Sequence, residues 1–267
     1  MYIFIFIVVI SIILYQKFKA ISAYKIINIW NYFLTNLRNR QNKEDSWNYD
    51  ITPGFQFAQL SKHSGIQKLN NLISSKHCQI LKEVGELIKS GYTGFPMSEI
   101  DTTQGTKFND DGKKWRPIWI KFLNIYAGTA DRIPTLKKIV QEMGDDVILL
   151  HISMFFPGTN LTPHYGITMG NIRYHWGLFI PSGDLGLRIE NSIYRWKTGE
   201  GIQFDDTHLH SAWNNTNQIR LVIFADIPRR MNPLMNYINR QIINLVEYTS
   251  HIKSIQERMQ REGIKVD

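Results

Sequence analysis

The sequence predicts a mainly β protein with flanking α-helices, in which the strands form an antiparallel jelly roll or barrel. From residue 147 onward, short apolar runs are separated by turns rich in Pro, Gly, Asn and Asp, which is typical of antiparallel strands. On both sides of this region, apolar residues recur at helical spacing. The chain has 267 residues and is 43% hydrophobic and 12% aromatic, which indicates a packed globular protein and excludes a disordered one.

The predicted elements follow one another along the chain. Helical spacing predicts one or two helices over Ile66–Ile88 and another over Thr135–Met143, with a strand over Trp115–Leu123 between them. The strands expected in the β region are Val147–Phe156, Ile172–Ile180, Leu185–Trp196, Gly201–Phe204 and Gln218–Ile227. Pro228 ends this region, and an amphipathic helix is predicted over Leu234–Met259. The globular domain is therefore assigned to residues 51–230 and the C-terminal helical segment to residues 231–267.

The N-terminus predicts a membrane anchor over residues 1–21. The first fifteen residues, MYIFIFIVVISIILY, are almost wholly apolar, with no positive residue before them and no small-x-small cleavage site after them. Fifteen helical residues span roughly 22 Å against about 30 Å of hydrocarbon, and extension to Ile21 closes that gap. A buried N-terminal strand or helix is the alternative.

Basic residues follow the apolar run, and residues 22–50 form a basic juxtamembrane segment and linker. The formal net charge of +8 favours anionic partners, of which membrane lipid fits this position best; no nucleic-acid module is recognisable. The positive-inside rule places the domain in the cytoplasm. Glycosylation sequons at Asn160 and Asn214, in predicted loops near the site, favour the same orientation because glycans there would obstruct a substrate. Residues Tyr24–Leu37 form either a membrane-surface helix or an ordinary juxtamembrane helix.

Two histidines in the β region are candidate metal ligands. His164 stands in a Pro-His-Tyr-Gly turn and His210 in a short polar loop, 46 residues later. Iron oxygenases commonly hold Fe(II) with two histidines and a carboxylate two residues after the first histidine, but that position here is Gly166. Water fills the third ligand position, or Asp205 or Asp206 binds the metal there. Alternatively, one of these aspartates orients a metal ligand through a hydrogen bond. His208 is the rival for the second ligand position, and each histidine alone is also compatible with a hydrogen-bonded loop residue.

An arginine inside an apolar strand adds a candidate anion site. Arg220 lies among Ile219, Leu221 and Val222, so it either points away from the core or requires a buried anion. A planar guanidinium binds a carboxylate through two hydrogen bonds. Arg173 and His175 alternate on another predicted strand, so both face one side and are placed to hold a second carboxylate. The bland alternative is a surface arginine and a core histidine. The single cysteine, Cys78, excludes a disulfide framework and a cysteine-based zinc site.

Together these motifs resemble those of the aspartyl/asparaginyl β-hydroxylase family of Fe(II)- and 2-oxoglutarate-dependent dioxygenases. The matching stretch runs from Ser153 to Asp226. Its pieces are Ser-x-x-x-x-Pro-Gly-Thr from Ser153, Pro-His-x-Gly from Pro163, Arg-x-His-x-Gly-Leu-x-Ile-Pro from Arg173, Phe-Asp-Asp from Phe204, His-x-x-Trp from His210 and Arg-Leu from Arg220.

The resemblance implies a double-stranded β-helix, which is a cupin-like jelly roll. It also implies that His164 and His210 are the iron ligands, since the spacing to Trp213 selects His210 over His208, and that the family lacks the third carboxylate ligand. Ser153 and Arg220 would bind one carboxylate of 2-oxoglutarate, with Arg173 and His175 near the other. Asp205 and Asp206 would support the metal from the second layer. The co-substrates would be 2-oxoglutarate and O2, and ascorbate is a possible reductant.

The activity that this resemblance implies is hydroxylation of the β-carbon of Asp or Asn in a protein substrate. Two alternatives stay open: hydroxylation of a membrane-lipid acyl chain with the same cofactors, and a jelly-roll binding module without catalysis. The sequence alone does not decide between a protein and a lipid substrate.

Overall fold

The computed structural model describes residues 23–40, 64–101 and 113–262. The predicted anchor over residues 1–21 lies outside these ranges. Within them, no helix is both long enough and apolar enough to cross a membrane.

The described part of the chain contains two antiparallel sheets that face each other. The six-stranded sheet has the order β2-β1-β3-β10-β5-β8 and the four-stranded sheet the order β4-β9-β6-β7. From β3 to β10 the chain crosses between the sheets at every step except the β6–β7 hairpin, which is the path of a jelly roll. The mainly β fold with flanking helices is thus confirmed. The strands are β1 Trp115–Phe122, β2 Ile125–Tyr126, β3 Leu149–Phe155, β4 Thr159–His164, β5 Asn171–Phe179, β6 Leu185–Ile189, β7 Ser192–Tyr194, β8 Gly201–Phe204, β9 His210–Asn214 and β10 Arg220–Pro228.

The six-stranded sheet is buried on both faces, because helices cover its outer face. On β10, Leu221 and Ile223 join the outer core, whereas Arg220 and Val222 point between the sheets. The outer core is completed by α2 (Ser64–Lys89) and α4 (Pro134–Met143), whose buried aliphatic residues pack on it. The polar side chains on the inner face are therefore departures from an otherwise apolar core, and they mark the site.

Three further helices close the open end of the sandwich. They are α1 (Ala23–Arg40), α5 (Pro233–Glu247) and α6 (Ser250–Glu262). Trp30 and Leu34 of α1 pack with Met231 and with Ile238 of α5. The short helix α3 (Met97–Ile100) adds Met97 and Ile100 to the inner core that α6 also contacts. The helix expected near residues 24–37 therefore exists and packs against the domain.

The structure corrects several predicted boundaries. His164 and His210 were expected in a turn and a loop, but they end β4 and begin β9. The predicted strand over residues 185–196 is a hairpin, because Glu190 takes a positive φ of 49° in the turn. The predicted C-terminal helix is two helices, since the Thr249 hydroxyl donates to the Val246 carbonyl oxygen where α5 ends. Asn214 is fully buried on β9, so its sequon offers no glycan site and no argument about orientation.

Candidate active site

The two predicted ligand histidines meet across neighbouring strands. His164 on β4 is paired in register with His210 on β9, and their ring centroids are 4.2 Å apart. The Nδ1 atom of His164 lies 2.7 Å from the Thr162 carbonyl oxygen, and that of His210 lies 2.9 Å from the His208 carbonyl oxygen. A carbonyl oxygen only accepts, so each Nδ1 is the donor and each neutral ring keeps its lone pair on Nε2. Fixing the tautomer through Nδ1 is the usual support for a histidine metal ligand.

His208 does not join this pair. Its Nδ1 lies 2.6 Å from a carboxylate oxygen of Glu190. Because β9 begins at His210, His208 lies before the strand and does not share a strand face with His210. The structure thus brings His210 to His164 and leaves His208 with Glu190.

The Asp206 carboxylate occupies the space that a side chain at position 166 would need. A Cβ atom built on Gly166 would lie 2.0 Å from Oδ2 of Asp206, while the Gly166 amide donates to the Asp206 carbonyl oxygen at 2.6 Å. Burial raises the pKa of Asp206 to about 6, and the nearby Arg173, 2.8 Å away, opposes that rise. Within the described ranges, no group of three or more His, Cys, Asp or Glu side chains is placed to hold a metal ion.

Asp205 has a different setting from Asp206. It accepts from Arg229 at 2.5 Å and from the Thr207 hydroxyl and amide at 2.6 and 3.0 Å. Burial alone would raise the pKa of Asp205, but Arg229 and Thr207 together hold it below its usual value. Asp205 therefore anchors the loop before His210. Of these two aspartates, Asp206 alone lines the cavity described below.

Arg220 is buried without a carboxylate partner among the described residues. It is 1% exposed and donates to the Ser153 hydroxyl at 2.8 Å, while its guanidinium lies over the rings of Phe155 and Trp196. Burial lowers the pKa of Arg220 to about 9. The Ser153 hydroxyl also accepts from the Trp115 indole at 3.0 Å, so its own proton is directed to a further acceptor. Arginine and serine together match a carboxylate.

His175 and Arg173 share the inner face of β5, as their alternation predicts. Both pack on Phe224, with Arg173 4.2 Å above its ring centroid. Arg173 is held by Asp226 through two hydrogen bonds of 3.0 and 3.1 Å and by Asp206. The Trp196 indole donates to Nδ1 of His175 at 3.3 Å, so the neutral His175 ring carries its proton on Nε2. Burial and the two arginines, Arg220 and Arg173, hold the pKa of His175 well below its usual value.

Buried polar atoms without a protein partner concentrate at this site. Among the described residues they are the side-chain atoms Arg220 Nε, His175 Nε2, His151 Nδ1, Trp119 Nε1 and Asn171 Oδ1. Each such atom costs about 1–3 kcal/mol when it stays unsatisfied. Three of the five are N–H donors, on Arg220, His175 and Trp119, and Arg173 packs beside His175 on Phe224. The inner face therefore fits an anionic ligand with several acceptor oxygens.

His151 and Trp119 are site residues that the sequence did not identify. They are neighbours across β1 and β3, with ring centroids 4.8 Å apart, and His151 stacks on Phe224 at 4.4 Å. Burial, followed by the charge of Arg173, lowers the pKa of His151 to about 3, so this ring is neutral at physiological pH. The position two residues before Ser153 on one strand was the signal that could have revealed His151.

A cavity of about 230 Å³ leads away from His164. Its lining includes several residues of the site described above, among them His151, His164, Gly166, Arg173 and Asp206. Its walls are mainly apolar and come from the sheet edge and from helices α1, α5 and α6, with Trp30, Trp119, Ile148, Ile242, Val246 and Ile255 among them. Ser153, His175, His210 and Arg220 are not among the residues that line this cavity.

Three cationic residues whose charge would suit an anionic substrate, Arg116, Lys121 and Arg188, are not among the residues that line the cavity. Arg116 donates to the Lys113 and Gly94 carbonyl oxygens, and Lys121 donates to the Gly144 and Val147 carbonyl oxygens. Arg188 is exposed on β6. These contacts make Arg116 and Lys121 structural residues.

Comparison with known proteins shows the family of this chain. The family model described as Aspartyl/Asparaginyl beta-hydroxylase matches residues 74–230. The chain is 35% identical over 103 residues to the ornithine lipid ester-linked acyl 2-hydroxylase of Rhizobium tropici, which is 38% of this chain and 37% of that protein. It is 30% identical over 104 residues to the aspartyl/asparaginyl beta-hydroxylase of Homo sapiens, which is 39% of this chain and 14% of that protein.

The solved structure of KdgF from Halomonas sp. aligns with 52% of this chain and 96% of its own, at 14% identity and a TM-score of 0.30. The family-model match over residues 74–230 covers more than half of the chain and spans the positions of both histidines and Arg220. This protein therefore belongs to the aspartyl/asparaginyl β-hydroxylase family, whose relatives named above are hydroxylases.

Proposed function

We propose that this protein is an Fe(II)- and 2-oxoglutarate-dependent hydroxylase that acts on the acyl chain of a membrane lipid. The observation that carries the substrate is the mainly apolar cavity that leads away from His164. The sequence favoured Asp or Asn of a protein substrate. A polar Asp side chain gains little from walls of tryptophan and isoleucine, whereas an alkyl chain is stabilised by about 0.8 kcal/mol for each CH2 that it buries.

The iron would be held by His164 and His210. Their Nδ1 atoms are tied to backbone carbonyl oxygens, which leaves the ligating lone pairs on Nε2. When bound, Fe(II) with 2-oxoglutarate and O2 supplies the oxidation: one oxygen atom enters a substrate C–H bond, and the other joins succinate as CO2 leaves. Asp206, held by Arg173 beside Gly166, would accept hydrogen bonds from a water in the position that a third ligand takes elsewhere.

The protein's own residues would orient the co-substrate. Arg220 and the Ser153 hydroxyl would hold one carboxylate, and this ion pair would offset the burial of the Arg220 charge. The Nε2–H group of His175 would donate to the second carboxylate region, with Arg173 nearby. Because the rings of Trp119, His151 and Phe224 surround this region, they would exclude water from the reacting carbon.

The test is succinate formation from 2-oxoglutarate by the full chain in detergent, with Fe(II) and ascorbate. An ester-linked acyl lipid and an Asp-containing peptide would be compared as substrates. We expect turnover coupled to lipid hydroxylation, and its loss in His210→Ala and Arg220→Ala. His208→Ala is the matched control, because His208 pairs with Glu190 and should leave turnover unchanged.

Each outcome separates the alternatives. Coupled turnover with the peptide alone would restore the protein-directed reading. Absence of succinate together with no 2-oxoglutarate binding in the presence of Mn(II) would refute the dioxygenase proposal and favour a binding module. Loss of activity in His208→Ala to the same degree as in His210→Ala would contradict the ligand assignment.

A further inference from the structure

Exposed apolar side chains are concentrated around the helices that wall the cavity. Among the described residues, eleven large hydrophobic or aromatic side chains are exposed, and eight of them belong to α1, to α5 with the residue after it, or to Tyr165 beside His164. Single exposed apolar residues need no explanation, but a concentration of them on adjoining elements indicates an interaction surface.

Helix α1 carries two apolar stripes. Trp30 and Leu34 point into the protein, whereas Ile29, Tyr32 and Phe33 point outward, with Ile29 67% and Tyr32 74% exposed. Positions 29, 32 and 33 share one helix face because they are three and four residues apart. A juxtamembrane helix that only packed on its own domain would need the first stripe and not the second.

The outward stripe is held in a fixed orientation by hydrogen bonds to the site. The Trp30 indole donates to the Asn239 side chain of α5 at 2.8 Å, and that side chain donates to the Gly170 carbonyl oxygen at 2.8 Å. Asn31 donates to the Ile167 carbonyl oxygen and accepts from the Met169 amide, at 2.7 and 2.9 Å. The loop that follows His164 is thus clamped to α1 and α5.

The same elements line the cavity and expose the apolar residues. Tyr24 and Ile27 of α1, Ile242 of α5 and the exposed Tyr165 all line the cavity. Leu234 and Tyr237 are exposed on α5, beside the residues that pack on α1. A partner that covers these exposed residues therefore lies next to a cavity with apolar walls.

The sequence and charge around α1 indicate what this partner is. The almost wholly apolar run of residues 1–15 precedes α1 by only seven residues, and Lys17 and Lys19 lie between them. The α1 sequence contains Lys25, Arg38 and Arg40 and no carboxylate, and exposed Lys25 precedes Ile29 by one turn. An apolar stripe with cationic residues is the pattern of a helix that lies in the headgroup region of an anionic bilayer.

We propose that Ile29, Tyr32 and Phe33 of α1, Leu234 and Tyr237 of α5, and Tyr165 form a docking face that rests in the surface of an anionic lipid bilayer. This face places the cavity against the lipid, so that an acyl chain passes from the bilayer toward His164 without crossing water. The docking stands independently of the reaction, whereas the delivery of a substrate chain rests on the proposed function.

The experiment measures the depth of single spin labels on the full chain in phosphatidylcholine vesicles with and without phosphatidylglycerol. The native thiol is removed by Cys78→Ser, and labels are attached through Tyr32→Cys, Tyr237→Cys and, as the control on β7, Ile193→Cys. Ile193 is exposed like the other two but lies on the β sandwich, away from α1 and α5. We expect labels 32 and 237 to collide with dissolved oxygen and to be shielded from a water-soluble nickel chelate. Label 193 should show the reverse.

Two results would overturn the docking face. Labels 32 and 237 that are as open to nickel as label 193 would show that the face points into water. Labels shielded from both reagents would show that protein covers it, either residues 1–22 or a second copy of the chain. None of these readings needs turnover, so the docking face and the reaction fail or stand separately.

A second variant tests the link to the substrate. Ile29→Glu with Tyr32→Glu changes residues outside the cavity lining and should lower kcat/KM for vesicle-embedded lipid by about tenfold or more, since each lost side-chain insertion removes an apolar contact. Turnover of the same lipid dispersed in detergent should stay unchanged, as should both activities in Ile193→Glu. An equal loss in vesicles and in detergent would contradict delivery through this face.

Discussion

Two buried arginines in this protein should respond in opposite ways to the same substitution. Arg220 and Arg229 are each 1% exposed. Arg229 donates to the Asp205 carboxylate at 2.5 Å and to the Met169 carbonyl oxygen at 2.7 Å, so its charge is neutralised inside the protein. Arg220 forms no ion pair with a carboxylate among the described residues, and it donates to the Ser153 hydroxyl. We therefore predict that Arg220→Met stabilises the ligand-free protein and that Arg229→Met destabilises it.

The magnitudes follow from the setting of each charge. A fall in the Arg220 pKa from 12.5 to about 9 corresponds to a burial penalty of roughly 5 kcal/mol, at about 1.4 kcal/mol for each pKa unit. The rings of Phe155 and Trp196 and the hydrogen bond to Ser153 offset part of it, at about 1 kcal/mol for each contact. We expect Arg220→Met to gain about 1–3 kcal/mol. Arg229→Met should lose about 3–5 kcal/mol, because it leaves the Asp205 charge buried alone.

The assay is urea unfolding of the full chain in a mild detergent, first with Mn(II) alone and then with Mn(II) and 2-oxoglutarate. At a 2-oxoglutarate concentration a hundredfold above its Kd, the wild type should gain about 2.7 kcal/mol, and Arg220→Met should gain almost nothing. Arg229→Met keeps the binding residues and should retain the ligand-dependent gain. If Arg220→Met lost as much stability as Arg229→Met, the guanidinium would be compensated within the protein, and the case for a carboxylate site at Arg220 would fail.

Three further predictions concern the surrounding site. Gly166→Ala places a Cβ atom 2.0 Å from the Asp206 carboxylate, so we expect metal affinity to fall about tenfold or more. Mn(II) titration measures this change, and a decrease of less than about twofold would show that Asp206 moves freely. His151 stays neutral in the folded protein to a pKa of about 3, whereas in the unfolded chain it gains a proton near 6.5; its contribution to stability is therefore present above pH 6.5 and lost as the pH falls. When the pH falls from 7.5 to 5, the free energy of unfolding measured with urea should decrease by about 2 kcal/mol more for the wild type than for His151→Leu. Equal decreases in the two proteins would contradict this. Ile242→Trp narrows the cavity wall and should cut lipid hydroxylation while uncoupled succinate release continues; a parallel loss of both would place Ile242 in the co-substrate site.

The sequence predicted most of the six-stranded sheet because its strands are apolar on both faces. The strands that carry the histidines were missed for the opposite reason. Strand β4 has the sequence Thr-Asn-Leu-Thr-Pro-His and β9 the sequence His-Ser-Ala-Trp-Asn. Neither contains the run of apolar residues by which a strand is distinguished from a loop in a sequence. Motif spacing still identified His164 and His210, since the spacing of a motif does not depend on knowing the secondary structure around it.

The sequence did not show which charged side chains of the site pair with one another. Arg173 was expected at the second carboxylate of the co-substrate, yet Asp226 and Asp206 hold it in the folded protein. Asp205 and Asp206 are adjacent in sequence but face Arg229 and Arg173, respectively. These pairings join residues 24 to 53 positions apart, so they depend on the register between strands and loops, which local patterns leave undetermined.

The residues proposed for the reaction lie inside the range matched by the family model, whereas many of the residues proposed to contact the substrate lie outside it. The family model matches residues 74–230, and all the proposed iron and 2-oxoglutarate residues lie inside that range. Much of the cavity wall comes from α1, α5 and α6, which cover residues 23–40 and 233–262 and lie outside it. Likeness to relatives over the matched range therefore bears on the reaction and carries little information about the molecule that enters the cavity. The apolar side chains that these three helices contribute are what favour an acyl chain over an Asp side chain, even though the family takes its name from the latter.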